Sequence, residues 1–433
     1  MRLSALSTTL IAAALAAILN GCSTTAANNS ATAAAASTAT QSANAPWADI
    51  PFIERIDPQY RAGAEAYSHN DFSSAEKVAA FNQKVAANAQ FTTIKPQLIT
   101  VPNAMDGFAI EVAIYRPQQC SENNESCPVF AYKPQYLNEQ NAADGYPLLF
   151  VSYSGGFILR TNYYDASHFQ MLSNTLQAVV VVPRYRLSDE APFPAPLIDN
   201  YSALTYFMDH AADFEINPQQ LILMGESAGG GLTASLALYN RDHNNYPVKA
   251  QALIYPMLDY RVGSEFSPYH SEQLGHTAWT VPANVYAWQA HGNAKDIAAL
   301  SGRSELPDGR PVTKPQQFTQ ELLALANFHQ SHQDQGTPDY FGYFSPAYAQ
   351  DKSQLPPAFI SVGDSDLFAN ESLQYASDLL EAGNTVEMHV VPGVFHVFEY
   401  ANPEGTQSQR YYNNLFYFLD QRLMAPQGQV WPE

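Results

Sequence analysis

Apolar residues in this chain gather in short unbroken runs, with stretches of helical spacing between them. Leu148 to Ser152, Val179 to Pro183, Leu221 to Met224, Ala250 to Tyr255, Ala358 to Val362 and Val386 to Val391 are rich in Val, Ile and Leu. Their lack of polar alternation suits strands of a parallel sheet covered on both faces. Asp165 to Leu176, Pro196 to His210, Ala228 to Arg241, Ser372 to Ala382 and Gln407 to Arg422 read as helices between or after them. Upstream, Gln97 to Val101 and Phe108 to Tyr115 predict an antiparallel pair that turns at Met105-Asp106-Gly107. Ile110, Val112 and Ile114 supply the alternation in the second of these. The expectation is an α/β fold: a mostly parallel, eight-stranded sheet with helices on both faces.

Two regions break this rhythm. Phe52 to Thr100 is mostly helical in pattern, with Val78, Phe81 and Val85 at helical spacing. Arg261 to Phe344 is rich in Tyr, Trp, His and Pro, with amphipathic stretches at Pro282 to Trp288 and Gln317 to Phe328. An insertion between two strands of such a sheet sits above their C-terminal ends, where ligands bind. The expectation is a lid made from residues 48–95 and 261–344. Arg116 to Gly145 is a polar insertion carrying at most one short strand, at Val129 to Tyr132.

The N-terminus reads as targeting sequence. Arg2 and the apolar stretch Leu10 to Leu19, too short to span a bilayer, predict a signal peptide over residues 1–21. Leu19-Asn20-Gly21-Cys22 resembles the lipobox of bacterial lipoproteins, which implies lipidation of Cys22. Ser23 stands where an inner-membrane retention signal would place Asp, which suggests the outer membrane, facing periplasm or exterior. A secreted protein with a chance Cys is the alternative. Residues 22–47 are nearly all Ala, Thr, Ser, Asn and Gln and predict a disordered tether. Residues 48–433 would then be one catalytic domain.

Charge narrows the partners. With 41 acidic against 21 basic residues, the formal charge of −20 argues against nucleic acid and anionic membrane surfaces. Cys120 and Cys127 bracket a six-residue polar loop suited to a disulfide in an oxidising compartment. No second Cys or His pair lies near them at metal-ligand spacing, so no metal site is expected there.

Candidate chemistry centres on Gly225-Glu226-Ser227-Ala228-Gly229, which follows the strand Leu221 to Met224 and opens a helix. That context predicts a nucleophile elbow with Ser227 at its tip. A serine nucleophile needs a base, and the base an orienting carboxylate. Past the strand at Ala358 comes Gly363-Asp364-Ser365-Asp366; past the strand at Val386 comes Pro392-Gly393-Val394-Phe395-His396. Asp366 and His396 are the expected acid and base. Asp364 is the rival acid, and His389, inside a strand, the rival base. His329 and His332 have a two-histidine spacing without a carboxylate cluster beside them. Backbone donors for an oxyanion are expected from Gly155, Gly156 and Ala228.

Four separated pieces carry a family resemblance. They are Tyr153-Ser154-Gly155-Gly156-Phe157; Tyr185 to Glu190 with Pro192-Phe193-Pro194-Ala195; Gly225 to Gly230; and Asp366 with Glu371 and His396. Together they resemble the hormone-sensitive-lipase-like branch of α/β-hydrolases, the bacterial carboxylesterases and acetyl esterases. The resemblance implies an α/β-hydrolase fold and a carboxylesterase that acts on a small-molecule ester through a Ser-His-Asp triad, without cofactor. The chain departs from that family's H-G-G-G motif at Tyr153 and Ser154, and from its D-P-L-R-D-E motif between Asp366 and Glu371. An amidase, formamidase or peptidase would share the machinery. A binding protein on the same scaffold is the alternative outside enzymes.

Overall fold

The computed structural model describes residues 46–88, 94–118, 130, 132–136, 144–160, 162–243, 246–264, 267–269, 272–292 and 340–425. The predicted signal segment, Cys22, most of the tether, the Cys120 and Cys127 pair, the stretch Gln317 to Phe328, and His329 and His332 lie outside the described residues. So do Val129 and Ala131 of the short strand suggested at Val129 to Tyr132.

Eight strands form one sheet: β1 (Gln97–Pro102), β2 (Ala109–Tyr115), β3 (Tyr146–Ser152), β4 (Val179–Pro183), β5 (Ile216–Glu226), β6 (Val248–Ile254), β7 (Ala358–Gly363) and β8 (Val386–Val391). Their spatial order is β1-β2-β4-β3-β5-β6-β7-β8. The pairs β1–β2 and β2–β4 are antiparallel and all others parallel. β4, four valines and a proline, is buried along its whole length, as a strand covered on both faces must be. β5 begins earlier than its apolar run suggests, because Ile216 pairs with Tyr146 before a register shift at Leu148.

The N-terminal segment is less continuous than its periodicity predicts. It splits into α1 (Arg61–Ser68) and α2 (Ala75–Asn88), preceded by two single 3₁₀ turns. The break falls on His69-Asn70-Asp71, where the Asp71 carboxylate accepts from the Ser73 N–H and hydroxyl and so competes with helical pairing. Tyr60, Ala64, Phe72 and Val78 of this segment are buried in the same apolar core as the sheet.

The helices that follow are α3 (Ala166–Leu176), α4 (Ala195–Asp209), α5 (Ala228–Asp242), α6 (Val281–His291), α7 (Tyr340–Phe344), α8 (Ala369–Glu381), α9 (Phe398–Ala401) and α10 (Thr406–Met424). α3 starts where the Asp165 side chain accepts from the His168 N–H at 3.1 Å, satisfying one orphan donor of the first turn. α5 runs back against β5, β6 and β3 from the sheet edge where those parallel strands end. Every loop that leaves the C-terminal ends of β3, β5, β7 and β8 therefore opens on one rim.

Candidate active site

Ser227 sits between β5 and α5 with φ 56°, a backbone conformation that costs a non-glycine residue roughly 1–3 kcal/mol. Its surroundings hold it there: the Ser227 N–H donates to the Ile254 carbonyl at 2.8 Å, and its own carbonyl accepts from Met257 and Gly231 at 3.0 Å each. Gly229 is required for close approach. A Cβ there would fall on the Ser152 carbonyl of β3. Strain at the turn is thus secured by bonds to β6, to the loop that follows it and to the first turn of α5, and the hydroxyl stands clear of the backbone.

The loop after β8 brings His396 to that hydroxyl. His396 Nε2 lies 2.9 Å from Ser227 Oγ, and Nδ1 lies 2.8 Å from Asp366 Oδ2. With Nδ1–H donating to the carboxylate, Nε2 is left to accept from the serine O–H. The other Asp366 oxygen accepts from the Phe368 N–H at 2.9 Å. Ser227 and His396 are each 3% exposed and Asp366 1%. Three aromatic rings enclose the imidazole: Tyr255 at 4.7 Å, Phe368 at 5.2 Å and Trp279 at 6.5 Å between centroids. Such an enclosure keeps water away from the proton-transfer path and strengthens the polar contacts inside it.

Asp364 is placed elsewhere. Its carboxylate accepts from the Gly393 N–H at 2.9 Å and so ties the acid loop to the histidine loop. His389 faces Glu387 at 2.7 Å on the edge strand β8, remote in role from Ser227. Glu371, on α8, is fully buried and accepts from the Asp259 N–H at 2.6 Å. Burial and the neighbouring Asp259 hold its carboxyl well above the usual range.

The loop after β3 lies beside the nucleophile. Gly155 has φ 125° and Gly156 φ 61°, both in the region that favours glycine. A Cβ on Gly155 would strike the Leu159 carbonyl, and one on Gly156 the indole ring of Trp279. Among the described residues, neither N–H is taken by another backbone carbonyl in a turn or loop. Ala228 is the first residue of α5, where a helical N–H has no internal partner. These three groups can therefore serve an external oxygen.

Tyr153, which replaces a histidine of the resembled motif, holds this loop from below. Its ring stacks on Tyr185 at 4.2 Å, its hydroxyl donates to the Tyr185 carbonyl, and the Tyr185 hydroxyl donates back to the Tyr153 carbonyl. Arg160 joins at 3.2 Å from the Tyr153 hydroxyl and bonds Glu190 at 2.6 Å. Trp279 is pinned too. Its Nε1–H donates to Asn284 at 3.1 Å, and Phe72 of the N-terminal segment packs against it at 6.1 Å.

Three features of this site lie outside the sequence reading: Trp279 over the glycine loop, Tyr255 against the imidazole, and a second buried set of acids. A charged Glu226 at the end of an apolar strand was the one signal for the last.

A family model for the alpha/beta hydrolase fold matches residues 149–299 and 297–400. This chain is an α/β-hydrolase, of the hormone-sensitive-lipase-like branch. It is 24% identical over 306 residues to Esterase LipI of Mycobacterium tuberculosis, covering 70% of this chain and 76% of that protein. It is 28% identical over 222 residues to Carboxylesterase NlhH of the same organism, covering 51% and 56%. A solved bacterial heroin esterase superposes on this α/β-hydrolase with a TM-score of 0.62 at 23% identity, covering 86% of this chain and 99% of the other. Among the described residues, no cluster of His, Cys, Asp and Glu suited to a metal ion occurs, and no helix is long and apolar enough to cross a membrane.

Proposed function

We propose that this α/β-hydrolase is a serine carboxylesterase acting through an acyl-enzyme. The observation that carries the reading is His396 between Ser227 Oγ and Asp366, 2.9 and 2.8 Å away, beside three N–H groups open to a developing oxyanion. In the first half-reaction His396 Nε2 takes the serine proton as Oγ attacks the ester carbonyl carbon. Gly155, Gly156 and Ala228 donate to the oxyanion, and Asp366 holds the imidazolium that forms. The tetrahedral adduct then collapses, the C–O bond to the alcohol breaks, and His396 protonates the leaving oxygen. Water repeats the sequence on the acyl-enzyme, releasing the carboxylic acid and restoring Ser227.

The fixed indole of Trp279 over Gly156, backed by Phe72, supports short to medium acyl esters as substrates. The esterase and carboxylesterase names of LipI and NlhH support the ester class. The sequence features around Cys22 support display on the bacterial envelope by a lipid anchor. A fluorophosphonate probe tests the chemistry: it should label the wild type and leave Ser227→Ala unlabelled. That variant should also lose hydrolysis of p-nitrophenyl acetate and butyrate while keeping its far-UV spectrum. Retained hydrolysis would refute the assignment. For the anchor, Cys22→Ala should move the protein from the membrane to the soluble fraction.

A further inference from the structure

The chain segments that carry Ser227 and His396 each also deliver a second acid into the interior. Glu226 directly precedes Ser227, and Glu399, on α9, follows His396 by three residues; they are 5% and 1% exposed. Glu226 accepts from the Tyr400 hydroxyl at 2.7 Å, and its other oxygen lies 3.1 Å from His168 Nε2. Glu399 accepts from the Tyr255 hydroxyl through Oε1. Its Oε2 is fully buried with no hydrogen-bond partner. Tyr255 is the same residue whose ring lies 4.7 Å from the His396 imidazole. It therefore touches the second acid through its hydroxyl and the catalytic base through its ring.

Two carboxylates in one buried site do not both ionise cheaply. The groups that face the pair are Asp165 and His168 from α3, Tyr67 from α1, Tyr255 after β6, Tyr400 on α9, and Tyr411 and Tyr412 on α10. His168 is the cation of the set. Burial is the largest influence and pulls its proton off, but the charge and contact of Glu226 together with the other nearby acids outweigh it and hold the imidazole above its usual range. Glu226 and His168 thus form a compensated ion pair, and Glu399 is left without a cation of its own. Burial, then the charge of Glu226, pushes the Glu399 carboxyl up to about 8. The bare Oε2 agrees: a proton placed there costs far less than an ionised oxygen without a partner.

We propose that Glu399, held by Tyr255 beside Glu226, is a positioning residue whose charge state sets how strongly the His396 imidazolium is stabilised during acyl transfer. At neutral pH Glu399 is a carboxylic acid and adds no field. On alkaline titration its proton leaves to solvent, a charge remains behind Tyr255, and the imidazolium formed when His396 takes the serine proton gains a second anion besides Asp366. The Tyr255 hydroxyl bond becomes charge-assisted in the same step and holds the ring more firmly against His396. This inference rests on the serine hydrolase reading above.

The test is the pH dependence of the fluorophosphonate labelling rate of the intact protein, which reports Ser227 reactivity without a titrating substrate. In the wild type the rate should rise by a further factor of about ten between pH 7 and 9, the effect of about one unit of stabilisation. Glu399→Gln, which keeps the shape and the acceptor, should label at the neutral-pH rate and lack that rise. Glu226→Gln removes the neighbouring charge and should move the inflection to lower pH. His168→Gln removes the compensating cation and should move it to higher pH, as should Tyr255→Phe, which withdraws the donor. These shifts have opposite signs, so a general loss of packing does not mimic them, and they stand if Glu399→Gln fails to fold. An inflection that persists in Glu399→Gln, or that none of the other variants moves, overturns the proposal alone. A wild type that takes no label at any pH overturns the hydrolase reading and this proposal with it.

Discussion

Among the described residues two carboxylate–imidazole pairs lie buried, and only one is built for hydrolysis. Asp366 and His396 are 2.8 Å apart; Glu226 and His168 are 3.1 Å apart. Both histidines have an aromatic ring near them, and both sets come within one residue of the nucleophile in sequence or in space. The difference is what lies on the far side of the imidazole. His396 presents Nε2 to a serine hydroxyl beside unpaired N–H groups, whereas the residues around His168 and Glu226 are tyrosine hydroxyls and another acid. An acid–histidine pair becomes a base for catalysis only when its free nitrogen meets a nucleophile and the product charge meets donors. Without those, the same pair is a buried charge reservoir.

The largest expected effect breaks the first pair. Asp366→Asn should lower kcat by about 10⁴, because the amide cannot fix the tautomer that leaves Nε2 free to accept. His168→Gln, which breaks the second pair from its histidine side, should cost about tenfold or less at pH 7, where the neighbouring Glu399 is uncharged. Steady-state kinetics on p-nitrophenyl butyrate compare the two. Equal losses would erase the distinction between the pairs.

Much of the first pair was legible in the sequence, and little of the second. Ser227, Asp366 and His396 each follow an apolar run long enough to be a buried parallel strand, so their order along the chain already implied one rim. The six strands from β3 to β8 were legible for the same reason, and β1 and β2 from alternation and the turn between them. Glu226, His168 and Glu399 carry no such sign. An isolated charged residue next to a helix or strand end usually faces solvent, and these three meet only because side chains of α3 and α9 reach Glu226 at the end of β5. Trp279 was hidden differently: it lies in an aromatic-rich insertion where stacking residues most often pack against each other, and its place over Gly156 depends on the hydrogen bond to Asn284. At Tyr153 the sequence showed only a missing histidine. The reciprocal bonds with Tyr185 explain how the loop keeps its shape without one.

A smaller effect sharpens the contrast in donors. Gly156→Ala places a Cβ at φ 61° against the Trp279 ring, so the loop must shift and its N–H must leave the position where an oxyanion forms. Loss of one such donor corresponds to a fall in kcat of about 10²-fold. The change should fall on kcat more than on KM, since the donor acts on the transition state. Adding Trp279→Ala should recover part of the loss by freeing space. A double variant no better than the single one would show that φ strain, not the indole, sets the requirement for glycine.

The smallest effect concerns stability. Glu399 ionises in the unfolded chain in the usual carboxylate range but in the folded protein only near about 8, through burial and the charge of Glu226. Between those two values the folded state holds a proton that the unfolded state has released, so stability falls as pH rises across that window. Below the window both states are protonated and the full contribution is present; above it both are ionised and the loss is complete. Glu399→Gln cannot titrate. Its melting temperature, taken relative to wild type, should therefore climb steadily from pH 5 to pH 8 and level off beyond. A difference that stays flat across the window would place Glu399 among ordinary ionised carboxylates and leave it without the proton it is argued to hold beside the second pair.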